Sequence, residues 1–427
     1  MYEVAKKNFS FLLIGQFISL IGDRILVAMY LSIVAILVSS QNSWTSNLLI
    51  ILQFIPLFFL GFYFGSLADI YNRKYLLIIS ESIRILSIIL LLFVQDNLVL
   101  IYLTVLILGF GYALFEPARK SILPFLIKRE DLVSWNKLYS TIELIGLLVG
   151  LLIASVILSF VSITTAIMIT IFTYVCSILF LSLIYYNHTK IKEELSKEEE
   201  EEYLQRKIIS SNTSNYNIFK NQYVRIKKGL SYVSTNSNLR SIFIVIFIHF
   251  LACCMFFATL NDFVIKTTSN SIDVGSIVSF YLLLIAIGAI TAYPLLQYIK
   301  HIRDGVITII SLGIGTILLF IFSIIIEFKI FELAPFVLWG VLLLIGVIVG
   351  IQYLRFMYLL QIYSKKEFMG RVMSVFEFIT SLTIILGIGI GMILSEILGY
   401  DMAFYIIVLV YGSGFIYFFI KRTLVTW

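Results

Sequence analysis

Gly65-Ser66-Leu67-Ala68-Asp69-Ile70-Tyr71-Asn72-Arg73-Lys74 is the stretch where one apolar run breaks into Gly, Asp, Arg and Lys before an equally apolar run begins. It reads as a turn between two membrane-spanning helices. Glycine lets the backbones come close. A carboxylate is stabilised at a helix terminus or beside a cation, and an Arg-Lys pair anchors the turn on the side of a membrane where positive charge is favoured.

The flanks of that turn define the medium. The chain is 60% hydrophobic and 13% charged with a mean hydropathy of +1.02, which is more apolar surface than a soluble protein can hide. The useful unit is then the span of ~20 residues that crosses ~30 Å of hydrocarbon. Long runs without alternation, such as Leu76 to Val94, exclude a transmembrane barrel. Apolar runs predict helices near 9–38, 45–69, 74–95, 98–118, 136–159 and 163–186, then 240–265, 273–299, 304–327, 333–362, 370–396 and 402–420. The expected fold is an all-α membrane protein of twelve transmembrane helices in two six-helix bundles.

A net charge of +6 raises the question of nucleic acid, and its placement answers against it. Lys6, Lys7, Arg73, Lys74, Arg119, Lys120, Lys128, Arg129, Lys300, Arg303, Lys365, Lys366, Arg371, Lys421 and Arg422 fall in alternate loops or at the termini, with Lys266 and Lys329 as exceptions. That is the positive-inside pattern. It places both termini and the central loop in the cytoplasm, and the chain as a multi-pass membrane protein. The run after Lys6 and Lys7 continues to about Ser39 with no small-residue cleavage site, so it reads as a retained helix and not a signal peptide. Cys176, Cys253 and Cys254 lie inside apolar runs and read as small core residues.

Loops on the far side are short, as at Gln95-Asp96-Asn97, which makes successive helices antiparallel neighbours. Between the sixth and seventh helices lies a polar stretch containing Lys197-Glu198-Glu199-Glu200-Glu201-Glu202. The expected organisation is a bundle at 1–187, a cytoplasmic linker at 188–238 and a second bundle at 239–427.

The opening stretch resembles the loop between helices 2 and 3 of major facilitator superfamily transporters, whose pattern is roughly G-x-L-x-D-R-x-G-R-K. Gly65, Leu67, Asp69, Arg73 and Lys74 match, while Ile70 replaces the first Arg and Asn72 the second Gly. The resemblance implies two halves built of inverted three-helix repeats, with the substrate site at the midplane between them. A second copy of the motif is then expected after helix 8. Tyr293 to Arg303 stands there, with Leu295 matching Leu67, Gln297 in place of Asp69 and His301 in place of Arg73.

Three further stretches resemble a bacterial exporter branch that contains macrolide efflux proteins and an enterobactin exporter: Gly15 to Asp23 in helix 1, Glu116 to Ile127 after helix 4, and Gly370-Arg371-Val372-Met373-Ser374 opening helix 11. Helix 5 departs from the drug antiporters. Their G-P-x-x-G-G there reads here Gly146-Leu147-Leu148-Val149-Gly150-Leu151, which keeps a small-residue face but not the backbone irregularity.

Charge inside a bilayer is costly, roughly 2.5 to 3.5 kcal/mol at a helix centre, so intramembrane charges are the candidate working residues. Asp23 and Arg24 fall near the middle of helix 1, about 100° apart. Asp23 is expected to face the central cavity, with Arg24 turned toward another helix. Glu81 and Arg84 stand at i, i+3 in helix 3 and can pair. Arg84, ~15 Å deep at ~1.5 Å per residue, can instead meet Asp23. Glu143 in helix 5 is divided between cavity and packing.

In the second half, Arg355 with Gln352, and Glu377 on the next helix, sit at similar depth and can pair across helices. His249 is either a proton carrier or a buried neutral histidine. Asn261-Asp262 reads as a helix terminus meeting water.

The resemblance makes the opening stretch a cytoplasmic gate. Asp69 would face the start of helix 11 at Gly370 and Arg371, and Glu116 and Arg119 would join Arg73 in a charge network; a plain topological turn is the alternative.

No nucleotide loop, no H-E-x-x-H and no His or Cys cluster is present, so neither an enzyme nor a metal or organic cofactor is expected. A channel would need a ring or filter, and a structural membrane protein would not need mid-bilayer carboxylates. The expectation is a monomer amid membrane lipids that exports drugs or other amphiphilic small molecules in exchange for protons. A proton-coupled importer, or an exporter of a siderophore or metabolite, is the rival.

Overall fold

The computed structural model describes residues 2–37, 43–126, 132–185, 230–268, 273–298, 304–364 and 369–421. Most of the expected linker at 188–238, its residues 188–229, lies outside them. Among the described residues, twelve helices are long and apolar enough to cross a membrane: α1 Tyr2–Leu37, α2 Ser43–Ile70, α3 Arg73–Val94, α4 Leu98–Leu126, α5 Leu132–Phe160, α6 Ile163–Ser182, α7 Ser237–Thr267, α8 Val274–Tyr298, α9 Asp304–Glu327, α10 Pro335–Tyr363, α11 Met369–Leu398 and α12 Tyr400–Ile420. One short turn of helix, Ile330–Leu333, precedes α10, and no strand occurs among the described residues. Large apolar side chains such as Phe59, Phe172 and Leu409 stand exposed on the outside of this bundle, as a hydrocarbon surround requires.

The packing repeats when six is added to each helix number. In the first half α1 packs on α5 and α6, α2 on α4, and α3 on α6; in the second α7 packs on α11 and α12, α8 on α10, and α9 on α12. The contacts that join the halves obey the same rule, since α5 on α8 is exchanged for α11 on α2, and α1 on α8 for α7 on α2. The buried apolar clusters divide accordingly. One holds mostly α7 to α12, two others hold α1 to α6, and small seams carry Ile50, Ala258 and Ile388, or Leu151, Leu283 and Ala286, across the join.

Between lipid-facing helices close packing replaces the hydrophobic effect as the glue. A Cβ on Gly288 or on Gly346 would overlap a backbone carbonyl of the facing helix, Leu343 or Ile285. The α8–α10 crossing therefore exists only with glycine at these points. In α5, Gly146 and Gly150 pack on Phe17, Leu20, Ile21 and Arg24 of α1.

The opening stretch is indeed a tight helix-to-helix turn. Asn72, which stands where the transporter pattern has glycine, is the N-cap of α3, its Oδ1 accepting the Lys74 N–H at 3.0 Å. Lys74 Nζ then donates to the carbonyls of Ser182 and Ile184 at 2.6 and 2.7 Å. A lysine on the orphan carbonyls at a helix end satisfies acceptors and opposes the dipole, so this turn is bolted to the end of α6.

Candidate functional site

α1 is the axis of the first half, and its polar side chains define the site. Asp23 does not open onto the space between the halves as expected; it turns inward, toward α3 and α6. The Tyr174 hydroxyl donates to Asp23 Oδ1 over 2.5 Å, and Arg84 Nη1 lies 3.4 Å from the same oxygen. The reason is that two partners are on that side: a buried tyrosine on α6 and a buried arginine on α3. Arg24 points the other way, its stem against Gly150 of α5.

Arg84 meets both of its candidate partners. Nη1 is 3.5 Å from Glu81 Oε2 as well, and the rings of Phe115, Tyr112 and Tyr174 lie 4.4, 4.9 and 5.6 Å from the guanidinium carbon. Such a cage suits a weakly hydrated planar cation. Room for it comes from Gly111, where a Cβ would stand 2.9 Å from the Arg84 stem. Glu81 is wholly buried; its Oε1 accepts from the hydroxyls of Ser19 and Ser177, each at 2.9 Å, while Oε2 has no hydrogen-bond donor.

A second cluster stands nearer the basic turns. Arg119 Nη2 is 2.8 Å from Glu116 Oε2, one turn away on α4, and Nη1 contacts Glu143 of α5. Gln16 of α1 donates to the same Glu143 carboxylate at 3.2 Å. Glu143 is thus held by two helices. A crevice of about 10 Å³ bordered by Gln16, Asp23, Arg84, Tyr112, Glu116 and Arg119 joins the clusters, which is about the space of a single water. Asp23, Glu81, Arg84, Glu116, Arg119 and Glu143 therefore form one polar system in the first half.

The other candidates stand apart from it. His249 is enclosed by the rings of Phe250, Phe356 and Tyr411, with Nε2 3.7 Å from Cys253 Sγ and Nδ1 without a hydrogen-bond partner. Arg355 lies over the Tyr358 ring at 5.8 Å, and Glu377 is exposed. Gln352 is spent on α9, donating to Thr308 O and Ser311 Oγ. Of the gate residues, Arg73 is buried; Gly65 and Asp69 belong to α2, and Gly370 and Arg371 to α11, but their side-chain surroundings lie outside the described set. So do Gln297, His301 and Arg303 of the second motif.

On the face away from the basic turns the halves are tied together. Gly275 N–H on α8 donates to Ser32 Oγ on α1 at 3.1 Å. Asn47 on α2 donates to Ala258 O on α7 at 3.2 Å and accepts from Asn261 Nδ2 at 3.0 Å. Asn261 and Asp262 are fully buried, which corrects their reading as a helix end in water: α7 runs on to Thr267, and Asp262 pairs inside it with Lys266 at 3.0 Å.

Six pairs of symmetry-related helices around a buried polar seam are a transporter's architecture, and the sequence agrees. Residues 12–387 match the family model for the Major Facilitator Superfamily. The chain belongs to the Major Facilitator Superfamily. It is a multi-pass membrane transporter and not an enzyme. Over 198 residues it is 29% identical to “Putative bacilysin exporter BacE” of Bacillus subtilis (strain 168), a match covering 45% of this chain and 48% of that protein, so the chain spans about half the length of the curated relative it matches.

Among solved structures, a mutant form of the nucleoside transporter NupG superposes with a TM-score of 0.72 at 14% identity over 96% of this chain and 99% of that one. A bacterial homologue of the iron transporter ferroportin in its inward-facing state superposes at 0.70 and 13% identity, covering 98% of both chains. These likenesses carry the superfamily fold.

Sequence reasoning missed Tyr174, Ser19, Ser177 and Asn47. Each is a small hydroxyl, amide or ring within an apolar run, and 25 tyrosines give no signal for the one that meets Asp23.

Proposed function

We propose that this superfamily member is a proton-coupled exporter of small amphiphilic molecules in a bacterial cell membrane, with its basic turns and both termini in the cytoplasm. Residues 1–187 and 239–427 rock against each other about the seam, and 188–238 is the tether between them. The observation that carries the reading is the Asp23–Arg84–Glu81 cluster, in which two carboxylates share one guanidinium among buried groups. Net negative charge in such surroundings is costly. One proton shared by the two acids removes it.

Loss of the proton changes what the cluster prefers to contact, and that is how a proton biases two conformations. Glu116, Arg119 and Glu143, joined to the cluster by the water-sized crevice, give the proton a step toward the basic face. Moving one positive charge outward against 100 mV costs ~2.3 kcal/mol, which inward proton movement offsets. The likeness to BacE, which is named as an exporter, supports the outward direction. Asp69, opposite the start of α11 in the superfamily pattern, is the latch of the outward-open state, and the ties at Ser32–Gly275 and Asn47–Asn261 belong to the state closed on the other face. Drug resistance follows where the solute is toxic.

A second reading has support of its own: the Tyr174 and Ser177 donors also pin α6 to α1 and α3, as a purely structural bolt would. Reconstituted Glu81→Gln separates the two. Coupling predicts normal solute exchange at equal pH with loss of uphill export; a bolt predicts that both modes fall together with thermal stability, and exchange and uphill export that both stay normal would remove Glu81 from the mechanism.

A further inference from the structure

The second half holds a cavity that the polar system does not use. About 150 Å³ in volume, it lies among α7, α8, α9, α10 and α12, and its walls include Ala252, Cys253, Ile285, Leu319, Ile345 and Tyr411. All but one of these are apolar or weakly polar. The exception is Tyr411, 3% exposed, whose hydroxyl has no hydrogen-bond partner. Gly315 fixes where that hydroxyl sits: a Cβ there would stand 3.0 Å from it and 2.9 Å from the ring, and Gly315 is itself a wall of the cavity.

Water is a poor occupant for such a space. A buried water needs two to four polar partners, and the wall offers one free hydroxyl. A dry apolar cavity of about 150 Å³ is instead the size that takes a benzene ring. The unsatisfied hydroxyl, costly to bury without a partner, asks for one acceptor on that ring or next to it. Two wall residues also belong to the join between the halves: Phe257 packs with the cluster of Ile50, Ala258 and Ile388, and Leu282 with that of Leu151, Leu283 and Ala286. Movement at the join therefore reshapes the cavity.

We infer that this cavity is a seat for a ring-sized apolar group, aromatic or branched aliphatic, that carries one hydrogen-bond acceptor toward Tyr411. Taken with the solute-export reading, the group is the apolar end of the transported molecule, and the seat lies beside the central path.

Photolabelling of the purified, reconstituted chain tests it with two probes, a phenol bearing a diazirine and the same ring without the hydroxyl. Adducts are expected on the cavity walls of α7 to α10. Ala252→Leu and Leu319→Phe, filling the space from two helices, each reduce them by about tenfold, since the displaced ring has nowhere to go. Tyr411→Phe weakens phenol labelling about threefold to tenfold, the worth of one hydrogen bond, and leaves the hydroxyl-free probe unchanged.

The proposal is overturned by adducts confined to outward-facing residues such as Leu409, by labelling unaffected by both filling variants, or by an equal effect of Tyr411→Phe on both probes. Labelling that phospholipid suppresses would seat an acyl chain there and equally overturn it. The readout is binding, so a failure here leaves export standing, and a chain that labels but does not export leaves this seat standing.

Discussion

The Tyr174 hydroxyl of α6 donates to Asp23 Oδ1 of α1 over 2.5 Å, and Arg84 of α3 approaches the same oxygen at 3.4 Å. One carboxylate thus ties three helices of the first half. A hydrogen bond to a charged group contributes about 1.5–3 kcal/mol. Tyr174→Phe should lower stability by about that amount, read as a reduced unfolding temperature of the purified chain, while keeping the fold. No change in unfolding temperature would mean that the bond has no mechanical role.

Arg119 stands between Glu116 and Glu143. Arg119→Met leaves two partly buried acids facing one another without their cation. Removing one partner of such a set costs about 3–5 kcal/mol. Adding Glu143→Gln should restore more than half of the loss, because it removes the stranded charge. Equal damage from the single and double variants would show that the three side chains do not act together, as would a single variant as stable as the parent.

The seam opposite the basic turns depends on Gly275, where a Cβ would overlap the Ala28 carbonyl oxygen. Gly275→Val should therefore disfavour the closed join. With the three native cysteines replaced, a cysteine at the seam residue Ala258 should react at least about tenfold faster with a membrane-impermeant thiol reagent when Gly275→Val is present, a shift of about 1.4 kcal/mol in population. An unchanged rate would mean that this crossing does not hold the face shut.

How much of this was legible follows from what each kind of signal carries. The twelve spans were, since ~20 apolar residues crossing a bilayer leave an unmistakable run. The depth of Arg84, counted along α3, already offered Asp23 as its partner. Which way Asp23 faces was not legible: helical spacing fixes the angle between Asp23 and Arg24 but not the rotation of α1, and the α6 partner that sets it, Tyr174, comes from a helix over 150 residues later with no charge to mark it. Asn261 was misread for the same reason. A polar pair near a helix end looks wet until Asn47 of α2 is laid on it. Asn72 could have been foreseen, as an Asn before an apolar helix is a ready N-cap.

The central claim, that proton movement drives solute outward through this chain, meets its most direct test in proteoliposomes loaded with a pH-sensitive dye and given a defined pH difference. The account predicts that adding a transported amphiphile accelerates dissipation of the gradient, that the amphiphile accumulates against its own gradient, and that both effects vanish with a protonophore and in Asp23→Asn with Glu81→Gln. Accumulation of solute in the double variant equal to that of the parent, or solute movement with no accompanying proton flux, would contradict it.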